Sequence, residues 1–425
     1  MQLRYNFRLD PTPGQVRDLA KAFGCARVVY NDGLAARKAA RAAGMPFPKT
    51  GDLMKTLITN AKQTSDRNWL GDVSNVVLQQ ALRDLDAAYK NLFESISGKR
   101  KGPKVCEPRF RSRKDHRQAI RFARNGFTLR PNGCLYLAKI GEVAVRWSRD
   151  LPSVPSSVTV VKDASGRYFA SFVVQTDPTA DLERSPIGDG YAETGIDLGL
   201  THFAVRDNGE KIDAPKFLRK AERRLKKLQH SLARKQKGSN NRKKAVVKVA
   251  RAHARVADSR RDFHHKLSTQ IIRENQAVYV EDLNVAALGR TRLAKSVHDA
   301  GWSAFVRMLE YKAARYGRTF AKVDRWAPTS QVCSVCGVKD GPKPLKIRDW
   351  TCAGCGVHHD RDINAAKNVL ALGQKVAAGH AETLNACGAQ VRPELVPAPR
   401  GEAGTRRGDL EWAKPAWGAV GISVL

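Results

Sequence analysis

The chain has 425 residues, long enough for two or three domains each with its own core. A hydrophobic fraction of 42% is ordinary for a folding protein. With no apolar run of membrane-spanning length and no signal peptide at the start, a soluble intracellular, cytoplasmic protein is expected. The charge is not ordinary: 75 Lys+Arg against 41 Asp+Glu leave a formal net charge of +34, a field that repels itself unless a polyanion neutralises it. Because the cations are spread along the chain rather than gathered at one end, nucleic acid is the expected partner and a membrane surface is not.

The opening MQLRYNFRL alternates apolar with polar and basic residues, which suits a strand. In DPTPGQVRDLAKAF, Thr12 can cap a helix and Pro13 suits its first position, so residues 11–40 are read as helical. A second helix is predicted over about 73–95, where Leu78, Leu82, Leu85, Tyr89 and Leu92 recur at spacings of three and four. Its other face offers Asn75, Gln79 and Arg83 as candidate nucleic-acid contacts, although a plain solvated helix face accounts for them as well. From 98 to 125 the chain is basic, broken by prolines and dotted with aromatics. There Arg109, Phe110 and Arg111, and then Arg121 with Phe122, could pair phosphate contact with base stacking; a solvated linker is the alternative.

Residues 127–175 are rich in β-branched and aromatic side chains, with KDASGR as a hairpin turn, and predict a small β-barrel or sheet. The Pro/Gly/Asp-rich stretch 176–190 reads as a linker. Between 216 and 266 stand 19 Lys/Arg against three acids. Leu218, Leu225, Leu228 and Leu232, then Val246, Val249, Val256, Phe263 and Leu267, lie at heptad-like spacings on either side of KGSNN. This predicts a helical hairpin with an apolar seam. Its outward cations, Arg223, Arg224 and Lys227 among them, are candidates to line a nucleic-acid channel. After about 371 the chain turns rich in Gly, Ala and Pro, and a poorly ordered tail is expected.

Of eight cysteines, Cys25, Cys106, Cys134 and Cys387 are isolated and read as free thiols. Cys333, Cys336, Cys352 and Cys355 instead form C-x₂-C-x₁₅-C-x₂-C, the spacing of a zinc ribbon. Four protein thiolates fill a tetrahedral site, so this zinc would be structural, and His358 and His359 nearby are read as packing or nucleic-acid residues rather than ligands.

Three acids remain in apolar surroundings. Asp197 lies within GIDLGL, Glu281 ends the buried run Ala277–Val280 with Asp282 beside it, and Asp360 and Asp362 precede a helix-forming stretch, Asp362 near the helix N-terminus. Taken singly they read as a turn residue, a strand-end charge and a helix cap. Taken together, acids at the ends of buried elements can converge on Mg²⁺ or Mn²⁺, which suit hard oxygen donors and support two-metal cleavage of a phosphodiester.

The stretches GIDLGL, VEDLN, PTSQVCSVCG and CAGCGVHHDRDINAAKN, with the opening PTPGQ…VVYNDGL, together resemble the TnpB (OrfB) family of bacterial insertion sequences over about residues 1–370. The resemblance implies an RNA-guided DNA endonuclease. Asp197, Glu281 and Asp362 would be its catalytic, magnesium-holding acids. Asp362 is preferred to Asp360 because the family acid directly precedes the segment matched by Ile363–Ala366. The implied fold is α/β and multidomain, with an RNase H-like (RuvC) nuclease domain at 190–370. That domain would carry an inserted helical hairpin (216–267) and the Cys₄ zinc ribbon (330–358). Residues 1–10 and 98–180 would form a wedge-like β-barrel, interrupted by a helical DNA-recognition domain at 11–97, with the tail at 371–425. The implied partners are a guide RNA from the transposon end and a double-stranded DNA target flanked by a short motif, with the protein a monomer on its RNA. The two rival readings are a transposase that works on transposon ends without RNA, and a non-cleaving RNA-guided repressor; the intact acids argue against the second.

Overall fold

The computed structural model describes residues 2–115, 117–176, 192–344 and 346–385, and these divide into two units. The first unit draws on residues 2–176, 217–266 and 315–317; the second draws on 192–216, 267–314 and 318–385.

In the first unit, strand β1 (Gln2–Asp10) turns Tyr5, Phe7 and Leu9 inward on alternate positions. Helix α1 (Pro13–Ala42) follows, opened by a capping box in which Thr12 and Gln15 satisfy each other's backbone amides. After the short α2 (Thr50–Met54), helix α3 (Asn75–Ile96) buries Leu78, Leu82, Leu85, Tyr89 and Leu92 against α1. Gly33 permits the approach of the two helices, since a Cβ there would stand 2.7 Å from a Leu82 methyl.

Six more strands complete a seven-stranded antiparallel sheet: β2 (Gln118–Ala123), β3 (Phe127–Leu129), β4 (Leu135–Leu137), β5 (Gly141–Arg146), β6 (Ser157–Lys162) and β7 (Tyr168–Gln175). The order is β2-β6-β7-β1-β5-β4-β3, with β1 in the middle. The KDASGR turn closes the β6–β7 hairpin through Asp163 and Arg167, with Gly166 at φ +82°. A one-turn 3₁₀ helix, Arg124–Gly126, carries the chain from one sheet edge, β2, straight to the other, β3. The sheet is thus rolled, but among the described residues no ladder joins the two edges into the expected closed barrel.

The basic region forms helices α4 (Phe217–Ala233) and α5 (Asn240–Glu274), with Leu232, Ala245 and Val249 in their seam. Arg242 closes the hairpin by donating to the carbonyls of Leu232 and Lys235, both at 3.1 Å. Residues 217–266 group with the first unit, although in sequence they interrupt the second.

The second unit is built on a five-stranded mixed sheet of β8 (Glu193–Asp197), β9 (His202–Arg206), β10 (Lys211–Asp213), β11 (Ala277–Glu281) and β12 (Thr319–Val323), in the order β10-β9-β8-β11-β12. The pairings β10–β9 and β9–β8 are antiparallel, whereas β8–β11 and β11–β12 are parallel. Helices α6 (Val285–Leu288), α7 (Ala294–Ala300) and α8 (Trp302–Arg315) link β11 to β12. After the cysteine-bearing hairpin β13 (Asp349–Thr351) and β14 (His358–Asp360), helix α9 (Arg361–Asn385) lies across the sheet.

That helix corrects the expected tail boundary. Leu372, Val376 and Ala377 continue the apolar face that packs on Ala277 and Tyr279, so residues 371–385 are helical. Gly373, within that helix, is a close-contact residue whose Cβ would meet the Tyr279 ring at 2.2 Å. The remainder of the tail, with Cys387, lies outside the described residues, as does most of the 176–190 linker.

Candidate functional site

The register of the mixed sheet brings two distant acids to one end. In the parallel β8–β11 ladder Val280 pairs with Ile196, and the next residue on each strand is an acid: Asp197 on β8, Glu281 on β11. The third acid arrives on α9. Gly195 admits this helix against β8, because a Cβ there would stand 2.2 Å from the Ala366 carbonyl oxygen. Asp207 holds the same strand by accepting from the Thr194 hydroxyl (2.7 Å) and the Gly195 amide (3.0 Å).

At the start of α9 the two neighbouring aspartates divide their tasks. Asp360 caps the helix, its Oδ1 accepting from the amides of Asp362 and Ile363, both at 3.0 Å, while it also pairs with Lys211. Burial works against its ionisation, but Lys211 and those amides outweigh it and hold Asp360 below the usual carboxylate range. Asp362 turns to the carboxylate cluster, where Arg348 contacts both its oxygens at 3.0 and 3.3 Å.

The electrostatic result falls on Asp197. Desolvation first, then the negative charges of Glu281 and Asp362, push its pKa up to about 8; Arg361 and Arg348 offset only part of this. Glu281 is also raised by burial, partly countered by a hydrogen bond from the Thr329 hydroxyl. Three like charges in a poorly solvated corner are costly unless a cation sits among them, and an all-oxygen donor set suits a hard divalent ion. Among the described residues these acids are not drawn as tightly as the cysteines, the only group of three or more candidate ligands whose donor atoms all lie within 4.8 Å.

The cysteine cluster is formed by two matching turns. Cys333 and Cys352 each accept from the glycine four residues on, Gly337 and Gly356, at 2.9 Å. Both glycines have left-handed φ values of +75° and +74°, which explains a glycine after each C-x₂-C pair. Sulfur separations of 3.7 Å (Cys333–Cys355) and 3.6 Å (Cys336–Cys352) match the roughly 3.8 Å edge of a tetrahedron with zinc–sulfur bonds of about 2.3 Å. His359 is buried beside Trp350, and its Nε2 lies 3.0 Å from Cys333 Sγ. Burial opposes ionisation of Cys333, but the Cys336 and Val335 amides together with His359 bring its thiol down to about 6, readying it as a thiolate ligand. His359 is therefore a supporting residue of the cysteine site.

Side chains that motif reading does not assign join the two clusters. Asn364 and Asn368, one turn apart on α9, both donate to the Val332 carbonyl (2.8 and 2.7 Å), and Asn368 also reaches the Thr329 carbonyl at 2.7 Å. Asn364 Oδ1 accepts from the Ser334 amide at 2.8 Å. The segment leading into the first cysteine pair is thus clamped to the helix that carries Asp362, while its Thr329 binds Glu281. The repeated asparagine in DINAAKN was the available signal; nothing in the irregular loop containing Arg348 announced its role.

The expected nucleic-acid contacts divide. Asn75 and Arg83 are exposed and Gln79 half-buried, with Asn75 accepting from Lys62 at 2.7 Å. Arg109 and Phe110 are exposed. Arg111 and Arg121 both turn to Asp84, at 3.6 and 3.3 Å, and Arg111 also stacks on Tyr30. Phe122 cannot meet a base: alternation along β2 sends it and Ile120 into the core, where Phe122 is fully buried. Arg223, Arg224 and Lys227 are exposed on α4, and Arg224 lines a groove of about 570 Å³ between the two hairpin helices, with Leu225, Leu228 and Val256 on its walls.

Comparison with known proteins places this architecture. The family described as "Probable transposase" (OrfB, IS605) matches residues 174–292, and one described as "Cas12f1-like, TNB domain" matches 302–369. A "Helix-turn-helix domain" description matches residues 1–45, which here form a strand and a single long helix. Several relatives carry the name "Putative RNA-guided DNA endonuclease". That of Streptomyces pristinaespiralis is 43% identical over 394 residues, 92% of each chain. That of Escherichia coli K12, InsQ, is 29% identical over 390 residues, covering 88% of this chain and 93% of its own. A cryo-EM structure of a Cas12f1–sgRNA–target DNA complex matches at TM-score 0.48 and 14% identity, covering 83% of this chain and 82% of that one. The chain belongs to the TnpB (OrfB) family.

Proposed function

We propose that the protein is an RNA-guided, metal-dependent DNA endonuclease of an insertion sequence, cutting target DNA beside a short transposon-associated motif. In this reading the second unit is a RuvC-like nuclease domain of RNase H-like fold. The first unit's rolled sheet is the wedge that holds RNA and DNA, α1–α3 recognise the flanking motif, and the α4–α5 hairpin faces nucleic acid. Family membership, the names of the relatives, the +34 charge and the mixed sheet with acids at one end all support it. The observation that carries it is the state of Asp197, since a site that raises an acid to about 8 by burying it and then crowding it with the carboxylates of Glu281 and Asp362 is one suited to a divalent cation.

Asp197, Glu281 and Asp362 would hold Mg²⁺ or Mn²⁺. Bound there, a pair of such ions supplies an activated water and stabilises the leaving oxygen of a phosphodiester. The chain's own contributions are positional. Thr329 fixes the orientation of Glu281, and Arg348, held by Asp362 and Thr201, sets a positive charge beside the acids. The Asn364 and Asn368 clamps keep the cysteine-bearing segment from drifting away from α9. The four cysteines would hold a structural zinc, and target sequence would be read by guide pairing rather than by side chains.

The matched family's description as a probable transposase favours a second reading, a transposase acting on transposon ends without RNA. One preparation separates the two. The protein is expressed with its flanking genomic DNA, co-purified RNA is sequenced, and a matching DNA target is offered with Mg²⁺. RNA-dependent cutting that Asp197→Ala abolishes is expected, whereas strand joining at transposon ends by RNA-free protein would establish the transposase instead.

A further inference from the structure

Among the described tryptophans, Trp326 stands apart: it is 84% exposed, against 38% for Trp147 and 36% for Trp69, the next most exposed. An indole this open to water forfeits most of the gain from burial, and the backbone that carries it is fastened in place. Strand β12 ends at Val323, the register partner of Glu281. The next residues are then fastened on both sides of that acid. Asp324 Oδ1 accepts from the Trp326 amide at 2.7 Å, Arg325 is ion-paired with Asp282, and Thr329 donates to Glu281. Trp326 is three residues from Val323, so its Cα lies within roughly 11 Å of that residue's Cα. A single nucleic-acid strand crosses that distance in a few nucleotides.

Flat aromatic faces beside basic groups are how proteins hold unpaired bases without reading their identity. Arg325 is neighbouring and Lys322 lies on the same strand end, but each is ion-paired with an acid, Asp282 and Glu310, so the platform is the exposed ring itself rather than a patch of positive charge. We propose that Trp326 is a stacking platform for an unpaired base of the DNA strand brought to Asp197, Glu281 and Asp362, setting the adjoining phosphate at those acids. This rests on the nuclease reading above.

The test uses the full protein with its co-purified RNA and a matched target in which 2-aminopurine replaces one base at a time through the strand to be cut. In the Asp197→Ala background, fluorescence should fall at one or two positions, and adding Trp326→Ala should restore it while Trp326→Phe restores it only in part. With Asp197 intact, Trp326→Ala should slow cutting about 5- to 150-fold, the range expected for losing one base–aromatic stack, and leave target affinity unchanged. An abasic site at the quenched position should slow the wild type by a similar factor and add little to Trp326→Ala, the non-additivity of groups in contact. Wild-type cutting by Trp326→Ala, no quenching at any position, or effects of the abasic site and the substitution that multiply would each overturn the stacking role with the nuclease assignment standing. Undiminished cutting by Asp197→Ala would remove the carboxylate assignment, and the platform with it.

Discussion

The second unit contains two clusters of like donors built on opposite plans. The four cysteines come from two short turns whose geometry is local: each pair is shaped by its own backbone and glycine, and the sulfurs already stand at tetrahedral separations. The three acids come from β8, β11 and α9, and meet only because a parallel ladder and a glycine-lined helix contact bring them together. The cysteine cluster is closed, with every donor position taken by protein. The acid cluster is electrostatically frustrated, which leaves it seeking a cation. A local cluster secures a fold; a long-range one can be put to work because its strain is carried by the rest of the sheet.

Substitutions should separate the two plans, and the largest effect belongs to the acids. Asp197→Ala should reduce guided cutting below detection yet leave the melting temperature measured above pH 8 unchanged or raised, since there it removes a disfavoured buried charge; a marked fall in melting temperature would show that the cluster is structural. Cys352→Ser should do the converse, releasing zinc in a chelator-dye assay and lowering the melting temperature by several degrees. An unchanged melting curve and metal content would contradict the zinc assignment. His359→Ala should weaken zinc binding by about 10- to 100-fold, the usual cost of losing a supporting hydrogen bond to a ligand. Competition with a zinc indicator reads this directly, and unaltered affinity would leave His359 as packing alone.

The smallest effect is a pH slope. Asp197 is raised from 3.8 to about 8 in the folded chain, so the native state keeps a proton that the unfolded chain loses. Without divalent cation, that contribution to stability is full below about pH 4 and is lost as pH rises through about 8. Urea unfolding across this window should show the decline, and Asp197→Asn should flatten it; parallel slopes in the two proteins would contradict the raised pKa.

The same contrast explains what could be read in advance. The cysteine spacing, the Thr12–Gln15 cap and the KDASGR turn are local, and each was legible because its chemistry is complete within a few residues. The acids were individually ambiguous; their shared placement at the ends of buried elements suggested a metal site, and the family resemblance fixed the choice of Asp362 over Asp360. Asn364, Asn368, Thr329 and Arg348 act across long gaps in sequence, where no periodicity reports them. Phe122 was readable after all: QAIRFA alternates, and that period of two outweighs the basic composition around it. Arg111 and Arg121 escaped because Asp84, their partner, sits on α3, distant in sequence.

The most direct test of the central claim is Mn²⁺ binding, followed by electron paramagnetic resonance above pH 8, where Asp197 is ionised. Wild type should bind Mn²⁺ at a site that Asp197→Ala, Glu281→Gln and Asp362→Asn each weaken or abolish, with the zinc content of all four proteins the same. Equal Mn²⁺ binding by the four proteins would contradict the account.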